Sequence, residues 1–382
     1  MSRHHRIRKI HRRNHAVPEE LEQTALHPLL KRIYANRQIS RLAQVDYSLK
    51  RLLNFDQLKG IDTASAIVAD AVMADQRILI VGDYDADGAT STALVVRALE
   101  RFSADHVDYL VPNRFEYGYG LTPEIVAAAA QRSPDLLITV DNGISSSEGV
   151  AAARQHGIKV VITDHHLAPH QLPAADAIVN PNQPGCPFAS KSIAGVGVAF
   201  YLMLAIRGVL RDRQWFDQQR QEPNMAELLD LVALGTVADV VPLDENNRIL
   251  VQQGIQRIRA GKASPGIKAL FHAAGKELRV CTSADLGFFI GPRLNAAGRL
   301  EDMSAGVECL ITDSARVAEQ IADELNRLNT QRKQIEQGML TEALADMDAL
   351  LATLNTDHLQ AGLCLYNSAW HQGVIGLLAA RI

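Results

Sequence analysis

The chain has 382 residues, of which 47% are hydrophobic and 21% charged, and its formal net charge is −4. These values are typical of a globular protein with a large core, roughly two or three domains in length, and they exclude a uniformly basic nucleic-acid binder. No apolar run reaches the roughly 18–20 residues of a membrane span, and the N-terminus lacks the apolar segment of a signal peptide. We therefore expect a cytoplasmic protein without membrane contact, whose four scattered cysteines are reduced thiols.

The first fifteen residues are strongly basic, with six Lys or Arg and four His. Such a segment is either a tail attracted to phosphates or a disordered basic tail without a dedicated partner, and we favour the second interpretation because short tails of this kind are common. Residues 16–75 show helical, amphipathic patterns without recognisable chemistry.

From Arg77 onward, short apolar runs alternate with helical patterns. The predicted strands are Arg77–Val81, Val107–Val111, Leu136–Val140, Ile158–Thr163 and Ala177–Asn180. Apolar strands separated by helices predict an α/β fold with a doubly wound, mainly parallel sheet. Sheets of this kind bind ligands beyond the carboxyl ends of their strands.

Three carboxylates occupy alternate positions just after the first predicted strand. If the segment is extended, Asp83, Asp85 and Asp87 point to one side and repel one another. Solvation at a loop tip and binding of divalent cations are the two ways to compensate this charge. The segment also resembles the start of an EF-hand loop, but Leu94 stands where that loop needs a Glu and a strand precedes it, which excludes the EF-hand.

Further polar side chains follow two other predicted strands. Asp141 follows the third, and Asp164, His165 and His166 follow the fourth. Each alone could cap a helix or form a turn. Together with the first cluster, at one edge of one sheet, they favour a metal site. Asp239 is a lone acid in an apolar run, for which a surface turn and a ligand role both remain open.

A later segment places Arg293, Asn295 and Arg299 close together in sequence, the last two one helical turn apart. Arginine forks match phosphate oxygens, which suggests phosphate binding. Ion pairs with Glu301 or Asp302 are the alternative.

Residues 314–351 form one long helical pattern, about 57 Å at 1.5 Å per residue. A strand is predicted over 362–366, followed by a turn into a new helix at 370–376, and we expect that the second domain is truncated at residue 382. The predicted segments are a basic tail and helical region (1–50), a catalytic domain (51–312), a connector helix (313–354) and the start of a second α/β domain (355–382).

Four of these motifs resemble, in order, those of the DHH phosphoesterases. They are Asp83–Gly88, Asp141–Gly143, Asp164–His166 and Gly235–Asp239. Within that superfamily the chain resembles the RecJ-like exonucleases from about residue 50 to its end. The stretches that carry this likeness are Pro112–Arg114, Tyr117–Gly120, Gly195–Phe200, Gly291–Arg299 and Trp370–Gly376.

The resemblance implies two divalent ions, Mn²⁺ or Mg²⁺, in a site rich in oxygen ligands. The implied ligands, with Asp141 as the bridge, are Asp85, Asp87, Asp141, His165 and Asp239. A histidine that family members often carry is replaced by Val81, and Asp83 would take over that ligand position or support the site.

The resemblance also implies roles around the metals. Asp164 would orient the histidine pair, and His166 would touch the scissile phosphate. Arg293, Asn295 and Arg299 would clamp phosphates of the nucleic acid. Tyr117 and Tyr119 are candidates for stacking on bases, with packing in a turn as the alternative.

The function implied by the resemblance is hydrolysis of single-stranded DNA from 5′ to 3′, with release of mononucleotides, in recombination and repair. A DHH phosphodiesterase acting on short oligonucleotides or cyclic dinucleotides is the alternative, and a non-catalytic scaffold is a third hypothesis. The expected partners are single-stranded DNA, a single-strand-binding protein and a helicase, and we expect a monomer.

Overall fold

The computed structural model describes residues 11–353 and 364–382, with the backbone alone at 350–353. The chain divides into two units, Met1–Arg51 and Leu52–Ile382. The first contains α1 (Glu19–Glu22), α2 (Pro28–Asn36) and the short 3-10 helices Leu42–Val45 and Leu49–Arg51. Residues 1–10, which carry most of the predicted basic tail, lie outside the described residues.

Five parallel strands form the sheet of the second unit, in the order β2-β1-β3-β4-β5. They are β1 (Ile78–Val81), β2 (Val107–Leu110), β3 (Leu136–Val140), β4 (Lys159–Thr163) and β5 (Ala177–Val179). The chain runs outward from β1 in both directions, so the strand order reverses between β1 and β3. This arrangement confirms the predicted doubly wound parallel sheet and places a ligand-binding crevice at the carboxyl ends of β1 and β3.

Helices cover both faces of the sheet, as the continuous apolar strands require. One layer contains α3 (Ile61–Met73), α4 (Ala86–Arg101) and α7 (Gly195–Asp212), and the other contains α5 (Pro123–Ala130) and α6 (Ser147–Gln155). In β1, Ile78 and Ile80 join the first core, whereas Leu79 and Val81 join the second. This alternation follows from the period of two along a strand.

A helical half continues from α7. Its helices are α8 (Leu229–Ala238), α9 (Glu245–Arg259), α10 (Pro265–Ala273), α11 (Ser283–Asp285), α12 (Gly291–Leu300), α13 (Ser304–Ile311), α14 (Ala315–Thr353) and α15 (Ile375–Ala379). Short 3-10 helices occur at Phe55–Gln57, Met225–Leu228 and Leu278–Val280, and a π-helix at Leu286–Ile290. The buried helix α8 packs on α4, α7 and α9 and so joins this half to the sheet. In the described part of the chain, every helix is too short or too polar to cross a bilayer.

The long helix predicted over 314–351 is observed as Ala315–Thr353. It packs on α10, α12 and α13, and further along it forms a small core with Trp370, Val374 and Leu378. The strand predicted over 362–366 lies partly outside the described residues, and its described part, 364–366, has no regular secondary structure. The domain boundaries at 312 and 354 stay predictions.

Two glycines within helices should respond oppositely to replacement by alanine. A Cβ at Gly254 in α9 would lie 2.1 Å from the carbonyl oxygen of Leu229 and 2.4 Å from Ala233 Cβ, whereas Gly338 in α14 has no described atom within 4 Å of the added carbon. Gly254→Ala should lower the free energy of unfolding by about 1–3 kcal/mol, because α8 and α9 must separate. Gly338→Ala should raise it by about 0.5–1 kcal/mol, because alanine restricts the unfolded chain.

Urea denaturation of the two variants and the wild type measures both effects under one set of conditions. A Gly254→Ala protein as stable as wild type would show that α8 and α9 are not in close contact.

Candidate metal centre

The turn between β1 and α4 brings three carboxylates to the carboxyl end of the sheet. Asp85 is the N-cap of α4, and its Oδ1 accepts hydrogen bonds from the backbone N–H groups of Asp87 (2.9 Å) and Gly88 (3.0 Å). Because α4 begins at residue 86, Asp87 lies in its first turn, and the three acids do not follow a continuous extended alternation. They converge through the strand-to-helix turn, where the N-terminal end of the helix favours negative charge.

The Asp87 side chain is buried, and it points at the start of a second helix. Its Oδ2 accepts a hydrogen bond from Gly195 N (2.6 Å) and its Oδ1 from Val196 N (3.0 Å), at the first turn of α7. A Cβ on Gly195 would lie 2.6 Å from Asp141 Oδ1, so the approach of α7 requires glycine. Gly195–Phe200 is one of the stretches that carry the family likeness, but the sequence did not assign Gly195 to the site.

Three potential ligand atoms from different elements converge without hydrogen-bond partners. His165 Nε2 lies 3.1 Å from Asp141 Oδ1, 3.5 Å from Asp239 Oδ2 and 4.0 Å from Asp87 Oδ2. Among the described residues, His165 Nε2, Asp141 Oδ1 and Asp239 Oδ2 are buried and unpaired. Buried polar atoms normally have partners, and one imidazole nitrogen among carboxylate oxygens is a common ligand set for divalent cations. The donor set therefore fits a metal ion.

Three overlapping groups of the described side chains could hold a cation. Asp87, His165 and Asp239 form the first group, and Asp83, Asp85 and Asp141 form the second. Asp141 also forms a third group with His165 and His166, and the ligand atoms of each group lie within 4.8 Å of one another. Asp141 belongs to the second group and also contacts His165 of the first, and its role as the bridge between two ions stays a prediction. Asp83, for which two roles were open, stands among the potential ligands.

Burial and mutual repulsion make these acids difficult to ionise without a cation. Burial, followed by the charge of Asp85, raises the pKa of Asp83 and that of Asp239 to about 7. Burial, followed by the charges of neighbouring aspartates, holds the pKa values of Asp87 and Asp141 well above the usual range. A bound divalent ion would reverse this effect, because it favours the charged form of each ligand.

The two adjacent histidines have opposite protonation behaviour. Burial lowers the pKa of His165 to about 4, so its imidazole is neutral near pH 7, as a metal ligand must be. A 2.7 Å hydrogen bond to Asp164 raises the pKa of His166 to about 9, so this ring carries a positive charge at neutral pH. Asp164 also accepts hydrogen bonds from the backbone N–H groups of both histidines and of Ile144. Asp164 thus contacts the backbone of both histidines and the ring of His166, and its role in orienting the pair stays a prediction.

A cavity of about 510 Å³ opens beside the acids, and Asp83, Tyr84, Tyr119 and His166 contribute to its wall. The Tyr119 hydroxyl lies 3.3 Å from His166 Nε2, and its half-exposed ring makes edge contacts with Tyr84 and His166. Tyr117, the other stacking candidate, packs against the core on the α5–α6 face instead. Of the two tyrosines, only Tyr119 is positioned to meet a ligand in this cavity.

Helix α12 supports the turn that carries Asp85 and Asp87. Asn295 Oδ1 accepts a hydrogen bond of 2.8 Å from the backbone N–H of Ala86, which lies between two of the potential ligands. A Cβ at Gly298 would lie 1.9 Å from the carbonyl oxygen of Tyr84, so α12 contacts the same turn along its backbone. Asn295 is therefore engaged with the turn that carries Asp85 and Asp87.

The two arginines of α12 have different hydrogen-bond partners. Arg293 is buried, and its guanidinium donates to the carbonyl oxygen of Phe289 (2.6 Å) and to Asn326 Oδ1 (3.1 Å). Arg299 donates to the carbonyl oxygen of Gly373 (3.1 Å). The structure does not gather Arg293, Asn295 and Arg299 into one clamp, so their shared phosphate-binding role stays a prediction.

Arg114 is a cation near the site that sequence reasoning did not assign. Its guanidinium lies 4.1 Å from the centre of the Tyr84 ring, and its charge acts on both Asp83 and Arg299. The available signal was its position after β2, the strand that pairs with β1. Sequence reasoning used the ends of only three strands.

Without metal, the protein should become less stable between pH 5 and pH 8. In the folded state Asp83 and Asp239 keep their protons up to about pH 7, whereas in the unfolded chain they lose them near pH 4. The folded state thus binds more protons in this range, and its free energy of unfolding falls as the pH rises. The raised pKa of His166 also makes the free energy of unfolding fall as the pH rises. The lowered pKa of His165 makes it rise instead, but only up to about pH 6.5, where the histidine of the unfolded chain loses its proton.

Melting temperatures recorded in a chelator across this pH range measure the effect, and Asp239→Asn should flatten the curve because it removes one of the titrating groups. Saturating Mn²⁺ should weaken the dependence in the wild type. A chelated wild type that becomes more stable from pH 5 to pH 8 would contradict the prediction.

Replacing Asn295 should weaken metal binding without removing a ligand. Asn295→Ala removes the acceptor that holds Ala86 N–H, and loss of such support typically costs about 10–100-fold in metal affinity. Calorimetric titration with Mn²⁺ measures the change. Asn326→Ala is the matched control, because it removes a contact of Arg293 rather than of the turn. Equal Mn²⁺ affinities in Asn295→Ala and wild type would show that α12 does not position the ligands.

Known proteins share both sequence and geometry with this chain. Residues 77–236 match the DHH family, N-terminal domain. RecJ of Escherichia coli (strain K12), a single-stranded-DNA-specific exonuclease, is 55% identical over 369 residues, which cover 95% of this chain and 64% of that protein. RecJ of Bacillus subtilis (strain 168) is 36% identical over 326 residues, covering 85% of this chain and 39% of that protein. The chain thus spans less than two thirds of the length of these relatives.

Solved structures show the same relationship. A crystal structure of exonuclease RecJ bound to manganese matches with a TM-score of 0.73 and 35% identity, over 86% of this chain and 78% of that one. RecJ from Thermus thermophilus in complex with Mn²⁺ matches with a TM-score of 0.77 and 33% identity, over 96% of this chain and 49% of that one. On this likeness in sequence and fold, the chain belongs to the RecJ family of DHH proteins.

Proposed function

We propose that this chain carries the catalytic core of a metal-dependent exonuclease that hydrolyses single-stranded DNA. The observation that carries the proposal is the convergence of three buried, unpaired ligand atoms, on His165, Asp141 and Asp239, at the switch point of the sheet. The relatives are named single-stranded-DNA-specific exonucleases, which supplies the substrate class. Progress from 5′ to 3′, release of mononucleotides and a role in recombination and repair belong to the same proposal.

The proposed cofactors are two divalent cations, Mn²⁺ or Mg²⁺. Carboxylate oxygens with a single imidazole suit these ions, and solved RecJ structures contain Mn²⁺ or Mg²⁺. Asp83, Asp85 and Asp141 would hold one ion, and Asp87, His165 and Asp239 the other. When bound, such a pair activates water and neutralises the charge that develops on the phosphate during in-line displacement.

His166 would bind the scissile phosphate. Its imidazolium is charged at neutral pH and contributes to the wall of the cavity beside the acids, where it can donate a proton in a hydrogen bond to a phosphate oxygen. Asp164 keeps the ring in place and keeps it charged. Because Asp164 is buried and accepts three backbone N–H groups, it fixes the position of His166 relative to the ligands.

The substrate contacts follow from side chains around the cavity. Tyr84 and Tyr119 offer aromatic faces and edges to bases, which suits a single strand whose bases are unstacked. Arg114 and Arg299 act electrostatically on each other and supply local positive charge in a chain whose net charge is −4. A single-strand-binding protein and a helicase as partners, a monomeric state and a cytoplasmic location remain predictions.

Digestion of single-stranded DNA labelled at one end tests the proposal. Wild-type chain with Mn²⁺ should release labelled mononucleotides from a 5′-labelled strand at once and from a 3′-labelled strand only late. Asp85→Asn should reduce the rate about a thousandfold or more, because metal ions supply several kcal/mol of transition-state stabilisation. The amide keeps the N-cap oxygen of α4, so the loss would reflect ligand chemistry rather than unfolding.

Asp62→Asn is the matched control, because Asp62 is an exposed acid at the start of α3. Cleavage of dinucleotides together with failure on strands of about fifty nucleotides would instead favour a small-substrate phosphodiesterase, the alternative function. Digestion by Asp85→Asn at the wild-type rate would exclude the proposed metal site.

A further inference from the structure

A smaller cavity lies at the far end of α4 from the potential metal ligands. It measures about 150 Å³, and we call it the arginine cavity because basic side chains dominate its wall: Arg97, Arg101, Arg257 and Lys262. From Asp87 to Arg101 the helix extends about 21 Å at 1.5 Å per residue. A ligand in this cavity would therefore not touch the metal ligands.

Two helix ends bring the basic side chains together. Arg101 is the last residue of α4, and Arg257 lies in the last turn of α9. Gly261, with a φ of 71°, then reverses the chain, so that the backbone N–H of Lys262 donates to the carbonyl oxygen of Arg257. Basic residues are common at the C-terminal ends of helices, where they complement the helix dipole. Their convergence on one cavity is not explained by that preference.

The guanidinium groups of the cavity are not fully paired. Within the part of the chain that the structure describes, Arg101 Nη1 and Arg257 Nε are buried and lack hydrogen-bond partners. The Glu227 carboxylate lies 3.5 Å from Arg101 Nη1, and its side chain is half exposed. The other acid of the wall, Asp230, accepts a 2.7 Å hydrogen bond from the backbone N–H of Ser264. Unpaired buried donors are costly, and an acceptor in the cavity would remove that cost.

The charges of the wall also favour an anion. Four basic side chains and two acidic ones, Glu227 and Asp230, line the cavity, and Arg97 is also paired with Asp313, whose Oδ1 lies 2.7 Å from its Nη2. Burial, followed by the charge of Arg97, lowers the pKa of Arg101, and burial raises the pKa of Asp230.

We propose that the arginine cavity binds one small tetrahedral oxyanion of the phosphate class. Guanidinium forks match the oxygen spacing of phosphate, and Arg101 and Arg257, which line the cavity, each have a guanidinium nitrogen without a hydrogen-bond partner. The volume equals about five water molecules at about 30 Å³ each, well below the roughly 300 Å³ or more of a pocket for a larger organic ligand. Free inorganic phosphate and the terminal phosphate of a mononucleotide share this chemistry.

Phosphate binding by the full chain in a chelator tests the proposal apart from the metal centre. Calorimetric titration with sodium phosphate, compared with sodium chloride at equal ionic strength, should show specific binding to the wild type. Arg101→Gln should weaken it by about tenfold or more, because a hydrogen bond between charged groups is lost. Arg299→Gln, which alters the cations near the metal centre, should leave the affinity unchanged.

If Arg101→Gln does not fold, Lys262→Gln provides a second variant, because Lys262 is exposed and its replacement should not disturb the fold. Lys262→Gln should weaken phosphate binding severalfold. Titration with thymidine 5′-monophosphate tells whether the bound phosphate is the free anion or the end of a nucleotide. If the nucleotide competes with phosphate, the cavity accepts a terminal phosphate group. If it does not compete, only the free anion fits. Wild-type affinity for phosphate no higher than for chloride would overturn the proposal. An equal loss of phosphate affinity in Arg101→Gln and Arg299→Gln would overturn the proposal as well.

Discussion

The carboxylates of Asp83, Asp87 and Asp141, which are buried, and of Asp239, which is partly buried, lie close together, and neighbouring aspartates oppose the ionisation of each. Most of the surrounding structure serves to keep these groups close in spite of that repulsion. A protein interior would ordinarily exclude such a cluster or keep it protonated. Here backbone N–H groups and helix ends hold the oxygens in place, and a cation is the remaining partner that the geometry lacks.

The fold supplies this support from two helix N-termini. The start of α4 holds Asp85 as its N-cap, and the start of α7 donates two N–H groups to Asp87. In each case, N–H groups of the first helical turn, which have no partner within the helix, donate hydrogen bonds to a carboxylate. The positive end of the helix thus faces the negative charge. The switch point between β1 and β3 leaves room for both helices to approach. Glycine at position 195 permits the close contact.

The histidine pair shows how neighbouring residues of one type acquire different chemistry. His165 is buried among acids and stays neutral, whereas His166 is half exposed and bonded to Asp164, which keeps it charged. One side chain can then coordinate a metal while the next binds an anion. Asp164 is the residue that separates the two roles, because it accepts the ring N–H of His166 and both backbone N–H groups.

Much of the fold could be predicted from the sequence, because apolar runs of strand length alternate with helices. The strand predicted over 158–163 is observed as Lys159–Thr163, and the one over 136–140 has the predicted bounds. Most candidate ligands were predictable for the same local reason, since they directly follow apolar strands, whereas Asp239 follows helix α8 and was implied only by the family resemblance. The phosphate clamp was less predictable, because the spacing of Arg293, Asn295 and Arg299 does not say which way each side chain points. In the structure their partners are a carbonyl of the preceding turn, the turn that carries Asp85 and Asp87, and the carbonyl of Gly373.

The sequence by itself determined that acids and histidines follow three apolar strands and meet at the carboxyl ends of one sheet, because these properties depend on residues adjacent in the chain. Only the tertiary structure decided which atoms meet. Gly195 reaches Asp87 across 108 positions and Asn295 reaches Ala86 across 209, and no local pattern encodes such contacts. The protonation states of His165 and His166 were decided at the same level, because the pKa of a side chain depends on its burial and on the charges packed around it.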